Sequence, residues 1–141
     1  LSSDGYWRLL ALNKGEMKQY NLNKMLDFRP TDRTFKRPPQ EEIEKVFRYS
    51  FRSWIGTEEH HITLRLDRIW AERIQPQQLL ETQAITAERD GSVTFEATVN
   101  SLSEVAGWVV SRGKGVTVLE PEALRNMVIE TARGVLDNYS A

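Results

Sequence analysis

The chain has 141 residues, 40% of them hydrophobic and 28% charged, which is the balance of a globular protein able to bury a core and excludes collagen-like, mucin-like and wholly disordered classes. It has no cysteine, so a disulfide framework, a thiolate metal site and a Cys nucleophile are excluded, and no apolar run reaches the ~18 residues that a membrane-spanning helix needs. The net charge of -1 is a cancellation: residues 1–52 carry eleven Lys and Arg against seven Asp and Glu (+4), and residues 53–141 carry eight against thirteen (-5). A basic first part on an acidic second part suits a nucleic-acid contact on the first, although modest patches of either sign are common.

The first segment reads as a β-hairpin. Tyr6 to Leu12 is aromatic and aliphatic, Asn13-Lys14-Gly15 is a turn signal, and Met17 to Leu26 continues with strand-tolerant residues. Trp7, Leu9 and Ala11 share one face, with Tyr6, Arg8, Leu10 and Leu12 on the other. A two-stranded ribbon apolar on both sides is marginal alone and calls for covering neighbours. Arg29 to Pro39 is a polar linker with Pro30, Pro38, Pro39 and four cations. Pro39 can then open a short helix, with Glu41, Glu42 and Glu44 favourable against its dipole and Ile43, Val46 and Phe47 at helical spacing. It is expected to end near Ser50 or Arg52, and Gly56 closes the segment.

From there the grammar is clear. His61 to Leu66 alternates as a strand, and Asp67 to Ile74 is a short helix ended by Pro76. Leu79 to Ala87 and Ser92 to Val99 are strands joined by the turn Arg89-Asp90-Gly91. Val93, Phe95, Ala97 and Val99 point one way, and Thr94, Glu96 and Thr98 the other. Ser101-Leu102-Ser103-Glu104 is a capping box, and Gly113 is the natural stop of its helix. Gly115 to Leu119 is a strand. Pro121 is expected at the first position of a last helix, whose stripe of Leu124, Met127, Val128, Ala132, Val135, Leu136 and Tyr139 is broad. The order β-α-β-β-α-β-α predicts an α+β fold: a ferredoxin-like βαββαβ unit with an extra C-terminal helix. That helix is expected to pack on the other sheet face or on a second chain.

Enzyme chemistry finds no foothold. Adjacent strand residues point to opposite faces, so His60 and His61 cannot easily share one metal. Gly113-Lys114-Gly115 looks like part of a phosphate loop but is followed by a strand, not a helix. No Gly-x-Ser-x-Gly nucleophile elbow is present. The sequence points to no cofactor and no metal.

The stretch Trp108-Val109-Val110-Ser111-Arg112-Gly113, then Val116-Thr117-Val118-Leu119-Glu120-Pro121, then Leu124-Arg125, resembles the C-terminal extension of bacterial WYL-domain transcriptional regulators. Asp90 to Phe95 and Ile62 to Leu66 fit the same extension. Gly5-Tyr6-Trp7-Arg8-Leu9-Leu10-Ala11 and Lys18-Gln19-Tyr20-Asn21-Leu22-Asn23-Lys24-Met25 resemble the end of the WYL domain itself. Arg8 stands where the family has Tyr, Lys18 and Lys24 where Arg is usual, and Met25 where Ile is. Lys is a point charge and lacks the bidentate fork of Arg, so phosphate recognition would be looser.

The resemblance implies three parts. Residues 1–28 would be the closing strands of an Sm/SH3-like WYL barrel, residues 29–58 a linker with a short helix, and residues 59–141 the extension. It implies the regulatory C-terminal part of a cytoplasmic transcriptional regulator that reads DNA through a winged helix absent from this chain. Effector binding would fall to Arg8, Lys18, Tyr20 and Lys24, with Arg65 as a weaker candidate on the extension. The effector would be anionic, single-stranded nucleic acid or a nucleotide, and the protein a homodimer with no membrane contact. Two alternatives stand beside this: Trp7, Leu9 and Tyr20 as barrel core with solvated cations, and the whole chain as a ligand-free assembly module.

Overall fold

A computed structural model describes residues 7–51, 55 and 58–140. The expected strand residue Tyr6, the motif residue Gly5 and the expected break at Gly56 lie outside the described residues.

The chain opens with β1 (Arg8–Asn13) and β2 (Glu16–Asn21), paired antiparallel from Arg8↔Asn21 to Asn13↔Glu16. The register leaves a two-residue loop, and Lys14 and Gly15 both take positive φ (53° and 85°), as a type I′ hairpin turn requires. β2 is shorter than expected. At Leu22 the chain turns into one 3₁₀ turn, Leu22–Lys24, pinned by the Leu22 amide donating to the Trp7 carbonyl at 3.0 Å. After an irregular stretch, α1 (Gln40–Phe47) starts at its cap, Pro39.

The second unit is a four-stranded antiparallel sheet in the order β4-β5-β3-β6, where β3 is His60–Leu66, β4 Ala84–Ala87, β5 Val93–Val99 and β6 Val116–Glu120. Between β3 and β4 lies α2 (Arg68–Ile74), and between β5 and β6 lies α3 (Leu102–Val110). Alternation builds the core: Ile62, Leu64, Leu66, Val93, Phe95, Ala97, Val99, Val116 and Val118 are all buried on one face. Ala71 and Ile74 of α2, and Val105, Ala106 and Val109 of α3, close over them. Each fully buried Val, Leu, Ile or Phe among them contributes ~1.5–3 kcal/mol, so this face is where the unit is held together. On the opposite face His61, Arg65 and Thr117 are exposed, and Thr63, Thr94, Glu96 and Thr98 half-buried.

Several expectations are corrected. The strand expected from Leu79 begins only at Ala84. The Gln83 side chain accepts from the amides of Leu79 and Leu80 at 2.7 and 3.0 Å, and its own amide donates to the Gln77 carbonyl, so residues 77–83 close into a turn. The last helix, α4 (Glu122–Asp137), does not cover the other sheet face. It packs against α3 and β6, with Leu124 fully buried in the same core. Pro121 is its N-cap, in extended conformation, rather than its first helical residue.

Candidate basic cleft beside the hairpin

A concave depression of about 740 Å³ runs along β2. Its border includes Arg8 from β1, Lys18 and Tyr20 from β2, Lys24 from the 3₁₀ turn, and Glu104 from α3. Three cations against one carboxylate leave it net positive among the described residues.

The register decides how these groups can act. Ala11↔Lys18 and Leu9↔Tyr20 put Lys18 and Tyr20 on one face of the ribbon, while Arg8↔Asn21 and Leu10↔Gln19 put Arg8 on the other. Arg8 accordingly reaches Gln19, its Nη1 donating to Oε1 at 3.4 Å. Lys18 pairs with Glu16 at 3.3 Å, two residues away on its own face. The Tyr20 hydroxyl accepts from Asn13 Nδ2 at 2.7 Å, which fixes its ring beside the turn. The cations therefore straddle the ribbon instead of lining one wall. The outer edge of β2 has no strand partner among the described residues, so a ligand at that edge meets groups from both faces. Straddling cations, with Lys18 and Lys24 exposed and Arg8 half-buried, suit an extended polyanion better than a small molecule held in a closed pocket.

Arg65 is not part of this cleft. It lies on β3 in the other sheet, beside a smaller depression of about 280 Å³ that Arg68, Ser92, Lys114 and Thr117 share. It is ion-paired to Asp90 in the β4–β5 turn. Asp90 also accepts from the Ser92 hydroxyl and amide, at 2.5 and 3.0 Å, and these bonds, with Arg65, lower its carboxyl to about 2. Arg65 thus serves a turn. An Asp two residues before a Ser in a tight turn is a readable signal for a side-chain-to-backbone bond, but nothing in the sequence names Arg65 as the cation beside it.

Two further arrangements had no clear sequence signal. The Arg112 guanidinium lies between the rings of Trp70 and Trp108, 4.6 and 5.1 Å from their centroids, and Arg73 sits over Trp70 at 4.7 Å. His60 and His61 go to separate acids, Glu58 at 3.2 Å and Glu96 at 3.8 Å. Among the described residues no group of three or more His, Asp or Glu could hold a metal, and no helix is long and apolar enough to cross a membrane.

The described residues make an α+β protein: a four-stranded antiparallel sheet layered by helices, with a two-stranded hairpin ahead of it. Residues 58–136 match the family model of the WCX domain, more than half of the chain, and the chain belongs to that family. The WCX domain is the C-terminal domain associated with WYL domains, so the relationship to WYL-type regulators expected from the motifs stands. Among solved structures, the chain is similar to proteasome accessory factor B/C (PafBC) of Arthrobacter aurescens, at 19% identity and a TM-score of 0.50, over 98% of this chain and 21% of that one. The likeness is one of fold, and this chain spans about a fifth of that protein's length. No curated protein matches the chain.

Proposed function

We propose that this chain is the regulatory C-terminal part of a WYL-type transcriptional regulator. In this reading residues 1–28 close an Sm/SH3-like barrel, residues 29–58 connect, and residues 59–141 form the ferredoxin-like extension. The strand order β4-β5-β3-β6, with a helix on each crossover, supports the last assignment. DNA is read by a winged helix outside this chain, in the cytoplasm of a bacterium, and the protein works as a homodimer. The cleft beside β2 takes an anionic effector, single-stranded nucleic acid or a nucleotide. Effector binding shifts the population of dimer arrangements by its differential affinity for them.

One observation carries the effector reading: Arg8, Lys18, Tyr20 and Lys24, brought together by the resemblance, border one net-positive depression. Titration of the intact protein with a labelled single-stranded oligonucleotide across a salt series tests it. Affinity is expected to fall with salt, and changing Lys18 and Lys24 to Ala is expected to reduce the log–log slope by about 1.4, or ~0.7 per lost contact. An unchanged slope, or no binding at low salt, refutes the nucleic-acid reading.

The assembly-module reading keeps one observation in its favour. Val135, Leu136 and Tyr139, at the far end of α4, are 48%, 64% and 84% exposed. Dimeric mass in solution with no oligonucleotide binding would select it.

A further inference from the structure

Ahead of Glu58, Phe51 is the one buried side chain among the described residues, 9% exposed. Its ring meets Trp108 of α3 edge-on, with centroids 5.7 Å apart and planes at 80°. Two residues earlier, the Tyr49 carbonyl accepts from the Asn100 amide at 2.9 Å. A solvent-exposed pair, Arg48 with Glu81 at 3.7 Å, lies beside them. Among the described residues, the connection between the hairpin side and the four-stranded unit therefore has an apolar anchor and a backbone bond at its base.

The receiving side is braced by stacking. Trp108 is held by Arg112, which is itself stacked on Trp70. The seat for Phe51 thus has contacts besides those with Phe51. The same base holds a buried polar side chain. The Asn100 side chain is buried, 5% exposed, and neither its Nδ2 nor its Oδ1 has a hydrogen-bond partner among the described residues. A buried amide without partners is unfavourable, and water satisfies it once a covering segment lifts. Burial of Phe51 favours the docked state, and the orphaned amide of Asn100 works against it.

We propose that Tyr49–Phe51 is a releasable latch. Docked, it inserts Phe51 against Trp108 and fixes the segment that precedes it. Released, it hydrates Asn100 and frees that segment to change position, at a free energy well below that of unfolding the sheet. The latch stands on the packing around Phe51 and Asn100, so it holds or fails independently of what the basic cleft binds.

Amide hydrogen exchange of the full chain tests it, with the Asn100 backbone amide as reporter and the core amides of Leu64 and Phe95 as controls. In the unaltered chain Asn100 is expected to exchange well ahead of the controls. Phe51→Ala is expected to speed it by about tenfold or more, the loss of a buried ring, and leave the controls unchanged. Phe51→Leu keeps apolar bulk and is expected to fall between, which covers the case in which the Ala variant does not fold. Asn100→Leu removes the orphaned amide but keeps the reporting N–H, and after correction for intrinsic rate it is expected to slow exchange there. Exchange of residue 100 in step with Leu64 and Phe95 overturns the latch, and so does Asn100→Leu leaving the corrected rate unchanged.

Discussion

Asp90 shows how one side chain converts a turn into pH-dependent stability. Its carboxylate accepts two bonds from Ser92 and faces the Arg65 guanidinium, and all three favour the charged form. The carboxyl is lowered from 3.8 to about 2 in the folded state. A lowered folded value means that the stabilisation is complete above the unfolded value and is lost as pH falls through the folded one. Thermal unfolding of the native chain and of Asp90→Asn should therefore differ most above pH 4, with the native chain the more stable. The gap should shrink as pH drops from 3.8 towards 2. A gap that is constant with pH would show that the carboxylate contributes only shape. At this scale the sequence was half legible. The Asp-Gly turn was readable, but Arg65 as its partner required the pairing of β3 with β5, which sets Arg65 opposite Thr94, two residues from Ser92. Likewise Lys18 and Tyr20 could be singled out as residues, but their separation from Arg8 across the ribbon follows from a register fixed by the Lys14-Gly15 turn.

Between elements, two glycines that look alike in sequence do opposite work. Gly115 sits where α2 meets the turn before β6. Its carbonyl accepts from the Asp67 amide at 2.9 Å, and Asp67 caps α2 through the Trp70 amide at 3.0 Å. A Cβ on Gly115 would lie 2.2 Å from Trp70 Cδ1, against a ring already held by Arg112 and Arg73. The ring cannot yield without breaking that stack, so Gly115→Ala should destabilise by ~1–3 kcal/mol. Gly107, inside α3 and exposed, has nothing within 4 Å of its Cβ position. There Ala adds no clash and removes backbone freedom from the unfolded chain, so Gly107→Ala should stabilise by ~0.5–1 kcal/mol. Melting curves of the two variants should move apart in opposite directions, and a shared direction would contradict the packing described. The period-2 pattern of β5 was fully readable because one face is core and the other solvent-facing. β4 was misread because Gln83 ties back the residues before it, a bond that periodicity does not encode. The placement of α4 was hidden for a related reason. Its stripe runs past the end of the core, so Leu124 and Val135 look equivalent in sequence although one is buried and the other half exposed.

At the scale of the whole chain, the charge division of the sequence coincides with a division in packing. Every residue of the buried core apart from Phe51 comes from residue 62 onward. The more basic first part leaves several large apolar side chains in the open: Leu26 is fully exposed, Phe28 81% and Phe35 86%. A two-stranded hairpin is marginal without further strands, whereas a four-stranded sheet covered by helices is not, so the two parts should open at different free energies. Proteolysis reads this directly, because cleavage tracks the population of open chain when opening is fast. Brief treatment of the full chain with chymotrypsin should cut first after Phe28 and Phe35. It should leave a resistant fragment that carries the four-stranded sheet with α2, α3 and α4, while Phe95, Trp70 and Trp108 stay protected. Early cleavage at those three sites, at the rate of Phe28 and Phe35, would mean that the sheet does not hold its own core. If the first cuts at Phe28 and Phe35 slow when oligonucleotide is added, ligand and linker are coupled. Under the proposed function that protection should weaken with salt along with the binding itself.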